Sequence, residues 1–550
     1  MNPNHPEIVH DVLVIGAGMA GLYQLHKLRQ SGLSVRVFET GSGVGGTWYW
    51  NRYPGCKFDS ESYSYGYSFS QEILDEWEWS EHFARQPETE RYLNFVADKL
   101  GLRKDITFNT RVAAASFEAQ NERWRIETEG GDVAYGQFLI TAVGPLSAPT
   151  LPNYKGMDTF TGGSWHTAEW PKQSPDFAGK RVAVIGTGAT GVQVIQEMAY
   201  MAEHLTVFQR NPNWCAPLNN APITPEEQRQ IKARYPEIFA RCRETHGCFL
   251  HSPDPRSVFE VTEDERNAFF EKLYNEPGFG IWVGSFVDTL MDDKANQFRS
   301  DFVADKIRSR VNDPDLAEKL IPTDHGFGTK RVPLESDYYE VYNRENVELV
   351  DLRETAIVEV TPSGIQTTDC EFEFDYIVYA TGFDPVTGAL NRIDISGTDG
   401  RKLEDKWSDG PLTYLGIQSV GFPNMFTLVG PHNAATLCNI PRCIEQNVDW
   451  VTALIEYMRA HNYSRVEPKT ESESGWTDEV LSAGAESPFM RVNSWLSGVN
   501  SNVENRQGRI FQVYAGGAPA YREHCERETD GGYSGFRFES DSVGVSLLTG

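Results

Sequence analysis

The 550-residue sequence predicts an α/β protein with two open, mostly parallel sheets that are flanked by helices. The first observation is an aliphatic run at residues 11–15, typical of a buried parallel strand, followed by a glycine-rich turn and a helical pattern. The second observation is the same order of features at residues 181–208. The two turns contain Gly16, Gly18 and Gly21 and, further on, Gly186, Gly188 and Gly191. Because strand, G-x-G-x-x-G turn and helix together form the βαβ unit that binds dinucleotides, we expect two Rossmann-like dinucleotide-binding domains.

The first unit ends its second strand with an acidic residue. Glu39 lies 23 residues after Gly16, where a carboxylate can accept hydrogen bonds from a ribose diol. The glycines permit a tight turn and a close approach of the backbone to a pyrophosphate at the helix N-terminus. A dinucleotide with a free 2′-hydroxyl, such as FAD, therefore suits this site.

A glycine-rich loop follows the first unit at residues 41–48 and ends in Gly46, Thr47 and Trp48. Its position allows it to cross close to the diphosphate and to reach the ring system of a bound flavin. Disulfide reductases with two dinucleotide sites have a redox cysteine after a comparable Gly-Gly-Thr. This chain has Trp48 at that place, which excludes dithiol relay chemistry.

The second unit differs from the first at the position that contacts the ribose. Gln209 lies 23 residues after Gly186, and Arg210 follows it. An acid at this place would repel a 2′-phosphate, whereas an arginine can pair with one in bidentate geometry. The second site therefore suits NADPH.

Two further buried strands suggest where the chain passes between domains. Residues 138–145 and 376–384 each form an aliphatic run with a glycine near its end. We expect an FAD-binding domain at 1–147, an NADP-binding domain at 148–382, and at 383–550 the rest of the FAD-binding domain with the substrate pocket and a mobile loop.

Residues from about 224 to 321 are helical and charged. They predict a helical insertion in the NADP-binding domain, with capping boxes at Thr224 and Thr262 and its charges on a solvated face.

Composition excludes several classes of partner. The net charge of −28 disfavours nucleic acid and anionic lipid, and no apolar run reaches the ~18–20 residues that span a bilayer. The N-terminal residues lack the features of a signal peptide. The eight cysteines include no C-x-x-C pair, so we expect free thiols, a cytoplasmic location and no metal site. For the assembly we expect a monomer or a weak homo-oligomer.

A motif between the two nucleotide units carries a family resemblance. Residues 160–171 place Phe160, Gly162, His166 and Trp170 at the spacing Phe-x-Gly-x-x-x-His-x-x-x-Trp-Pro. Alone, this stretch is also typical of an aromatic-rich crossover loop. The motif resembles the signature of type I Baeyer–Villiger monooxygenases, and residues 45–55, 328–331 and 380–384 resemble other landmarks of that family. The resemblance extends over nearly the whole chain and is close to the branch that acts on cyclic, aromatic and steroid-like ketones.

The resemblance implies an enzyme that uses FAD, NADPH and O2 to convert a ketone to an ester or lactone through a C4a-peroxyflavin. It identifies Arg331 as the catalytic cation and Asp59 as its partner, although by residue type Asp59 also suits a turn and Arg331 an exposed surface. His166 is expected to couple domain movement to the hinge. A flavin-dependent N- or S-oxygenating enzyme and a non-catalytic flavoprotein are the alternatives. Trp170 and Arg331 argue against the former, because N- and S-oxygenases usually have Phe or Tyr at the place of Trp170.

The same resemblance assigns the remaining site residues. Cofactor contacts in the first unit and the segment after it fall on Gly46, Thr47, Trp48, Tyr49, Trp50, Lys57, Asp59, Tyr65 and Val112. Contacts with NADP fall on Thr187, Gly188, Ala189, Thr190, Gly191, Gln193, Arg210, Asn211, Lys330, Arg331 and Trp495. The wall of the ketone pocket includes Ala435, Thr436, Leu437 and Ile440.

Overall fold

The computed structural model describes residues 9–433, 438–500, 502–503 and 508–540. The strands of this part are β1 (Val9–Ile15), β2 (Val35–Phe38), β3 (Ile106–Thr107), β4 (Val112–Glu118), β5 (Arg123–Thr128), β6 (Val133–Thr141), β7 (Gly163–His166), β8 (Arg181–Ile185), β9 (His204–Gln209), β10 (Ala216–Pro217), β11 (Leu334–Glu335), β12 (Val347–Asp351), β13 (Ile357–Val360), β14 (Gly364–Thr367), β15 (Glu371–Glu373), β16 (Tyr376–Tyr379), β17 (Asp394–Ser396), β18 (Met425–Thr427), β19 (Arg465–Pro468) and β20 (Phe536–Glu539). Its α-helices are α1 (Met19–Gln30), α2 (Thr47–Trp50), α3 (Ser62–Tyr65), α4 (Gln71–Glu76), α5 (Gln86–Lys99), α6 (Ala189–Met201), α7 (Pro225–Ala233), α8 (Tyr235–Glu244), α9 (Glu263–Asn275), α10 (Gly280–Val283), α11 (Asp293–Arg310), α12 (Pro314–Leu320), α13 (Gly388–Asn391), α14 (Leu403–Lys406), α15 (Ile440–Ala460), α16 (Thr470–Glu486) and α17 (Ala518–Asp530).

The first large sheet contains the first glycine turn. Its order is β17-β4-β5-β6-β1-β2-β3, and β18 also pairs with β6. β1 lies between β6 and β2 and is parallel to both, while β4 and β5 are antiparallel as their alternating pattern predicts. Strands from before residue 142 and after residue 393 therefore share one sheet. The domain boundaries themselves stay a prediction.

The second large sheet contains the second glycine turn. Its order is β12-β9-β8-β16-β7, and the four pairings are parallel. β16, the second of the two strands expected at a domain crossing, lies between β8 and β7. The side chains of β8 and β16 are almost wholly buried, which is why both read as unbroken aliphatic runs.

Helices α7 to α12 form the segment that the sequence predicted as a helical insertion. Both capping boxes are present, at Thr224 and at Thr262. The expectation that the charges of this segment lie on a solvated face is wrong for Arg299, whose side chain is fully buried. Helix α11 is polar along most of its length, so nothing in its composition marked this arginine as internal.

Three other expectations need correction or fall outside the described residues. The apolar pattern of the sequence predicts a helix from Ile444, but helix α15 begins four residues earlier, at Ile440, because Asn439 and Pro441 suit a helix start. Cys438 and Cys443 are joined by a disulfide, so the expectation of free thiols holds for only six of the eight cysteines. The expected pocket residues Ala435, Thr436 and Leu437 lie outside the described residues. Within those residues, no helix has the length and apolar character of a membrane span.

Candidate active site

The first glycine turn forms a backbone cradle at the start of α1. Gly16 has a φ of +104°, and a Cβ there would lie 2.5 Å from the carbonyl oxygen of Ala142. A Cβ on Gly18 would lie 3.4 Å from the Cα of Gly46, so the second glycine-rich loop crosses directly over the helix start. Only glycine backbone at these places leaves the N-terminus of α1 open to an anion. The cradle fits the diphosphate of a dinucleotide.

Glu39 is buried at the end of β2, beside this cradle. Its carboxylate accepts hydrogen bonds from the backbone N–H groups of Ala17 (2.8 Å) and Gly41 (2.6 Å). Burial raises the pKa of Glu39, and the two backbone N–H groups oppose that rise. The side chain therefore ties the glycine turn to the end of β2, and its contact with a ribose stays a prediction.

An aromatic cluster follows the second glycine-rich loop. The indole N–H of Trp48 donates to the Tyr65 hydroxyl at 3.2 Å, and Tyr65 stacks on Phe58 with ring centroids 4.1 Å apart. Trp48 and Tyr65 are buried, as is Val112 at the start of β4. These rings form a rigid apolar wall next to the expected flavin position.

The other residues predicted for the first cofactor have varied surroundings. Thr47 is the first residue of α2, and the Tyr49 hydroxyl accepts the backbone N–H of Ser42 at 2.9 Å. Lys57 is buried, and burial lowers its pKa. Trp50 is 38% exposed, the largest exposure in this set of aromatic residues, and its cofactor contact stays a prediction.

The second glycine turn repeats the geometry of the first. Gly186 has a φ of +107°, and a Cβ there would lie 2.5 Å from the carbonyl oxygen of Ala380. A Cβ on Gly188 would meet nothing within 4 Å, so the N-terminus of α6, which begins at Ala189, is open. Thr187 donates its hydroxyl to the carbonyl oxygen of Asn211 at 2.9 Å. The open helix start fits the diphosphate of a second dinucleotide.

Helix α6 also connects the two nucleotide sites. Gln193, near the start of this helix, accepts a hydrogen bond from the Tyr53 hydroxyl at 2.8 Å and donates to the carbonyl oxygen of Lys57 at 2.9 Å. Both of its partners belong to the segment between the second glycine-rich loop and Asp59. The Gln193 side chain thus fixes this segment against the second site.

The residues predicted to select NADPH lie at the end of β9 and on a distant loop. Gln209 is fully buried and donates to the carbonyl oxygen of Lys319 at 2.8 Å, so its side chain turns toward α12. Arg210, the next residue, is exposed. Nζ of Lys330 lies 3.2 Å from Oδ2 of Asp324. His325 and Lys330 hold the pKa of Asp324 well below its usual range. Contact of Arg210 and Lys330 with a 2′-phosphate stays a prediction.

Arg331 and Asp59 form an ion pair across 272 residues of sequence. Nη2 of Arg331 donates to Oδ2 of Asp59 at 2.5 Å, and Nη1 donates to the carbonyl oxygen of Val332 at 3.1 Å. The Asp59 side chain is 4% exposed and the Arg331 side chain 33%. Oδ1 of Asp59 is buried without a hydrogen-bond partner in the described residues. The pair therefore places a cation with one accessible face against a buried carboxylate.

The loop before Arg331 is held by buried donors from α11. Arg299 donates to the carbonyl oxygens of Trp282 (3.0 Å), Thr289 (3.0 Å) and Phe327 (2.9 Å). Asn296 donates to the same carbonyls of Thr289 (2.7 Å) and Phe327 (2.9 Å). Sequence reasoning missed both residues. The available signal was spacing, because Arg299 lies four residues after the buried Ala295 and four before the buried Val303, on the internal face of the helix.

The sequence motif at residues 160–171 forms an edge strand and a turn. β7 pairs with β16, and a Cβ on Gly162 would lie 2.3 Å from the carbonyl oxygen of Asp375. Phe160 packs in the apolar cluster beneath the second sheet, and Trp170 is buried beside other aromatic rings. β7 therefore holds the motif against β16, the strand that leads to the second expected crossing between domains.

His166 lies at the end of this strand. Its ring contacts Phe383 edge-on with centroids 5.8 Å apart, and its Nδ1 accepts the backbone N–H of Ala168 at 3.1 Å. Burial lowers the pKa of His166 to about 4, so the ring is neutral at pH 7 with its proton on Nε2. A neutral, packed imidazole at the crossing suits a structural coupling rather than acid–base chemistry.

The segment that contains Trp495 contacts the same crossing. Trp495 is half-buried and begins a short 3₁₀ helix. Asn500 donates to the carbonyl oxygen of Phe383 at 2.7 Å, and Asn502 donates to that of Thr381 at 3.0 Å. The segment is therefore attached to the residues after β16, and its contact with a dinucleotide stays a prediction.

Comparisons with known proteins agree with two nucleotide sites. Residues 10–237 match the family model of pyridine nucleotide-disulphide oxidoreductases. The solved structure of OTEMO in complex with FAD and NADP superposes with a TM-score of 0.93 at 48% identity, and the match covers 97% of this chain and 100% of that one.

Curated relatives are monooxygenases that match along nearly their whole length. The chain is 49% identical to 2-oxo-Delta(3)-4,5,5-trimethylcyclopentenylacetyl-CoA monooxygenase of Pseudomonas putida, over 96% of this chain and 98% of that protein. It is 44% identical, with the same coverage, to acetone monooxygenase (methyl acetate-forming) of Gordonia sp. (strain TY-5). It is 40% identical to a phenazine N-monooxygenase of Lysobacter antibioticus, over 96% of this chain and 97% of that one.

Proposed function

The chain belongs to the Baeyer–Villiger monooxygenases, and from that premise we propose that Arg331 and Asp59 are the charged pair on which its ketone oxidation depends. The enzyme is an FAD- and NADPH-dependent flavoprotein that inserts one oxygen atom of O2 beside a ketone carbonyl and so forms an ester or lactone. The observation that carries the proposal is the 2.5 Å contact between Nη2 of Arg331 and the buried carboxylate of Asp59. The two residues are 272 positions apart, and the sequence around neither of them indicates that they meet.

The chain's own groups fit both cofactors. The cradle at Gly16 and Gly18 with the Glu39 carboxylate would hold FAD, and the open start of α6 would hold the diphosphate of NADPH. When bound, the reduced flavin supplies an oxygen atom from O2 in nucleophilic form, with electrons from NADPH. The remaining requirement falls on the protein, which must stabilise the charge that forms on the substrate.

Attack of a nucleophile on a ketone places negative charge on the former carbonyl oxygen. Arg331 presents a positively charged guanidinium with a planar fork of donors, and a third of its side chain is exposed. A unit charge about 4 Å from a cation gains roughly 4 kcal/mol at an effective dielectric constant near 20. Arg331 therefore stabilises the oxyanion more than the neutral ketone, which is the difference that lowers a barrier.

Asp59 acts as a positioning residue for this cation. Its carboxylate is buried and contacts one end of the guanidinium, so the other donors of the fork keep a fixed direction. The segment around Asp59 is itself fixed by the hydrogen bonds of Gln193 to Tyr53 and Lys57. On the other side, Arg299 and Asn296 hold the loop that leads to Arg331.

For the substrate we propose a cyclic ketone. Support comes from the printed name of the Pseudomonas putida relative, which contains a cyclopentenyl ring with an oxo group. The acetone monooxygenase shows by its name that a small open-chain ketone is also accepted among relatives of similar identity. Ile440, half-buried at the first residue of α15, is the expected pocket residue that the structure describes.

A substrate panel tests the proposal. The holoenzyme is incubated with NADPH, O2 and, in separate reactions, cyclopentanone, cyclohexanone, acetone, an aromatic N-heterocycle and a sulfide, and products are identified by mass spectrometry. We expect lactones from the cyclic ketones at higher kcat/KM than methyl acetate from acetone. The 40% identity to a phenazine N-monooxygenase makes N-oxygenation the second candidate, and N-oxide formed faster than any lactone would favour it.

A further inference from the structure

Three cysteine sulfurs converge where the helical insertion meets the start of α15. Cys248 lies in the turn after α8, Cys443 in the first turn of α15, and Cys438 just before that helix. Their Sγ atoms all lie within 4.8 Å of one another. Cys248 and Cys443 are buried, and Cys438 is half-buried. Because Cys248 is remote in sequence from the other two, cysteine spacing gave no sign of the cluster, and the expectation of no metal site rested on that spacing alone.

The backbone holds the two sides of the cluster together. The N–H of Asn439 donates to the carbonyl oxygen of Gly247 at 2.7 Å, which joins the residues next to Cys438 and Cys248. The side-chain amide of Asn439 donates to the carbonyl oxygen of Ser64 at 3.1 Å. Cys248 has a φ of +56°, a conformation that a non-glycine residue adopts only when its surroundings impose it. The sulfurs thus meet on a fixed backbone.

Cationic side chains and a helix N-terminus lie around the cluster. The guanidiniums of Arg522, Arg442 and Arg243 lie close enough to interact electrostatically with the Cys248 thiol. Helix α15 is 21 residues long and directs the positive end of its dipole to the cluster at its first turn. Three thiolates around a divalent cation carry a net charge of minus one, which these groups stabilise.

We propose that, in the reduced protein, Cys248, Cys438 and Cys443 bind one thiophilic divalent cation such as Zn²⁺ or Cd²⁺ as thiolates. In a tetrahedral zinc–thiolate site the sulfurs lie about 3.8 Å apart, because each Zn–S bond is about 2.3 Å long. The separations in the cluster are within reach of that value. Three protein ligands leave the fourth position for water or another ligand, and binding releases the thiol protons.

The disulfide between Cys438 and Cys443 makes the site dependent on redox state. Oxidised, the pair forms the S–S bond of the structure and offers no thiolate to a cation. A thiol or phosphine donates two electrons to the S–S bond and is itself oxidised to a disulfide or a phosphine oxide. The bond breaks, the two sulfurs take up two protons, and Cys438 and Cys443 become thiols that can join Cys248 as ligands. The cation and the disulfide are therefore mutually exclusive states of one cluster.

The test uses the FAD-bound holoenzyme in two redox states. One portion is reduced with a phosphine and desalted, the other is oxidised, and each is titrated with Cd²⁺ while ultraviolet charge-transfer absorption and bound metal are measured. We expect one Cd²⁺ per reduced chain. We expect the affinity for Cd²⁺ to be more than about tenfold lower in the oxidised protein and in the variants Cys248→Ser and Cys443→Ser. Loss of a residue that only hydrogen-bonds to a metal ligand already lowers metal affinity by about 10–100-fold.

Cys370→Ser is the matched control, because Cys370 is an exposed free thiol elsewhere in the chain and its loss should leave binding unchanged. If a cluster variant fails to retain FAD, alkylation of the wild-type protein replaces it. Cd²⁺ should then protect Cys248, Cys438 and Cys443 from iodoacetamide and leave Cys370 reactive. Equal affinity in Cys248→Ser, equal affinity in the oxidised protein, or protection of other cysteines would overturn the proposal.

Discussion

Replacement of Arg331 by alanine removes the cation that we propose faces the substrate, and it also leaves the Asp59 carboxylate unpaired. Loss of one preorganised donor to an oxyanion costs about 2.7–4 kcal/mol, a factor of roughly 10²–10³ in rate. Ester formation by Arg331→Ala should fall by at least that factor. NADPH oxidation should continue more slowly and yield hydrogen peroxide, because electron transfer needs alignment of the cofactors more than this charge.

Stability must be separated from catalysis in this variant. Breaking a buried ion pair costs about 3–5 kcal/mol. Because the Arg331 side chain is 33% exposed, we expect a loss at or below the lower end of that range. Arg353 offers a matched control, since its Nη2 lies 2.5 Å from Oδ2 of Asp351, with side chains 41% and 2% exposed. Arg353→Ala should lose similar stability and keep its ratio of ester to peroxide.

The assay measures three quantities for each variant. NADPH oxidation is followed by absorbance, hydrogen peroxide by a coupled peroxidase, and ester or lactone by chromatography, while thermal unfolding reports stability. Arg331→Lys should recover little ester, because an ammonium group cannot reproduce the planar fork of donors. Ester formation by Arg331→Ala at close to the wild-type rate would refute the role of this residue, as would an equal loss of ester in Arg353→Ala.

Further predictions concern other parts of the molecule. Arg210→Ala should raise the KM for NADPH about tenfold or more and leave that for NADH unchanged, since hydrogen bonds to charged groups contribute about 1.5–3 kcal/mol; an equal rise for both would show that no 2′-phosphate is bound there. The pKa of His166 is about 4 in the folded protein and about 6.5 in the unfolded chain, so its contribution to stability is present above pH 6.5 and lost as pH falls toward 4. The free energy of unfolding should fall by about 3 kcal/mol over this range. Urea unfolding should show a smaller fall in His166→Gln, whose side chain does not titrate. Arg299→Met should speed amide exchange in the loop before Arg331, whereas Arg308→Met, an exposed position on the same helix, should not; equal exchange in both variants would remove the positioning role.

The parts of the fold with local causes could be predicted from the sequence. The two glycine turns, the buried strands beside them and the capping boxes at Thr224 and Thr262 depend on residues close together in the chain. The position of α15 was wrong by four residues, because the pattern of apolar residues did not register the helix start at Asn439 and Pro441. Boundaries of this kind depend on capping geometry more than on periodicity.

The site depends on contacts between distant residues, and there the sequence was less informative. Asp59 and Arg331 were paired only through the family resemblance, since each alone suits a turn or a surface. Arg299 was missed because a charged residue in a polar helix is usually exposed. Cys248 and Cys443 were missed because their approach depends on how the insertion packs against α15. In each case tertiary packing, rather than local propensity, decides what surrounds the side chain.

The destination of the oxygen atom tests the central claim most directly. The holoenzyme is supplied with NADPH, cyclopentanone and isotopically heavy O2, and the product is analysed by mass spectrometry with fragmentation. The Baeyer–Villiger assignment predicts a lactone with one heavy oxygen, located at the ring position between the former carbonyl carbon and its neighbour. A lactone without the label, or consumption of NADPH that yields only hydrogen peroxide with every ketone offered, would contradict it.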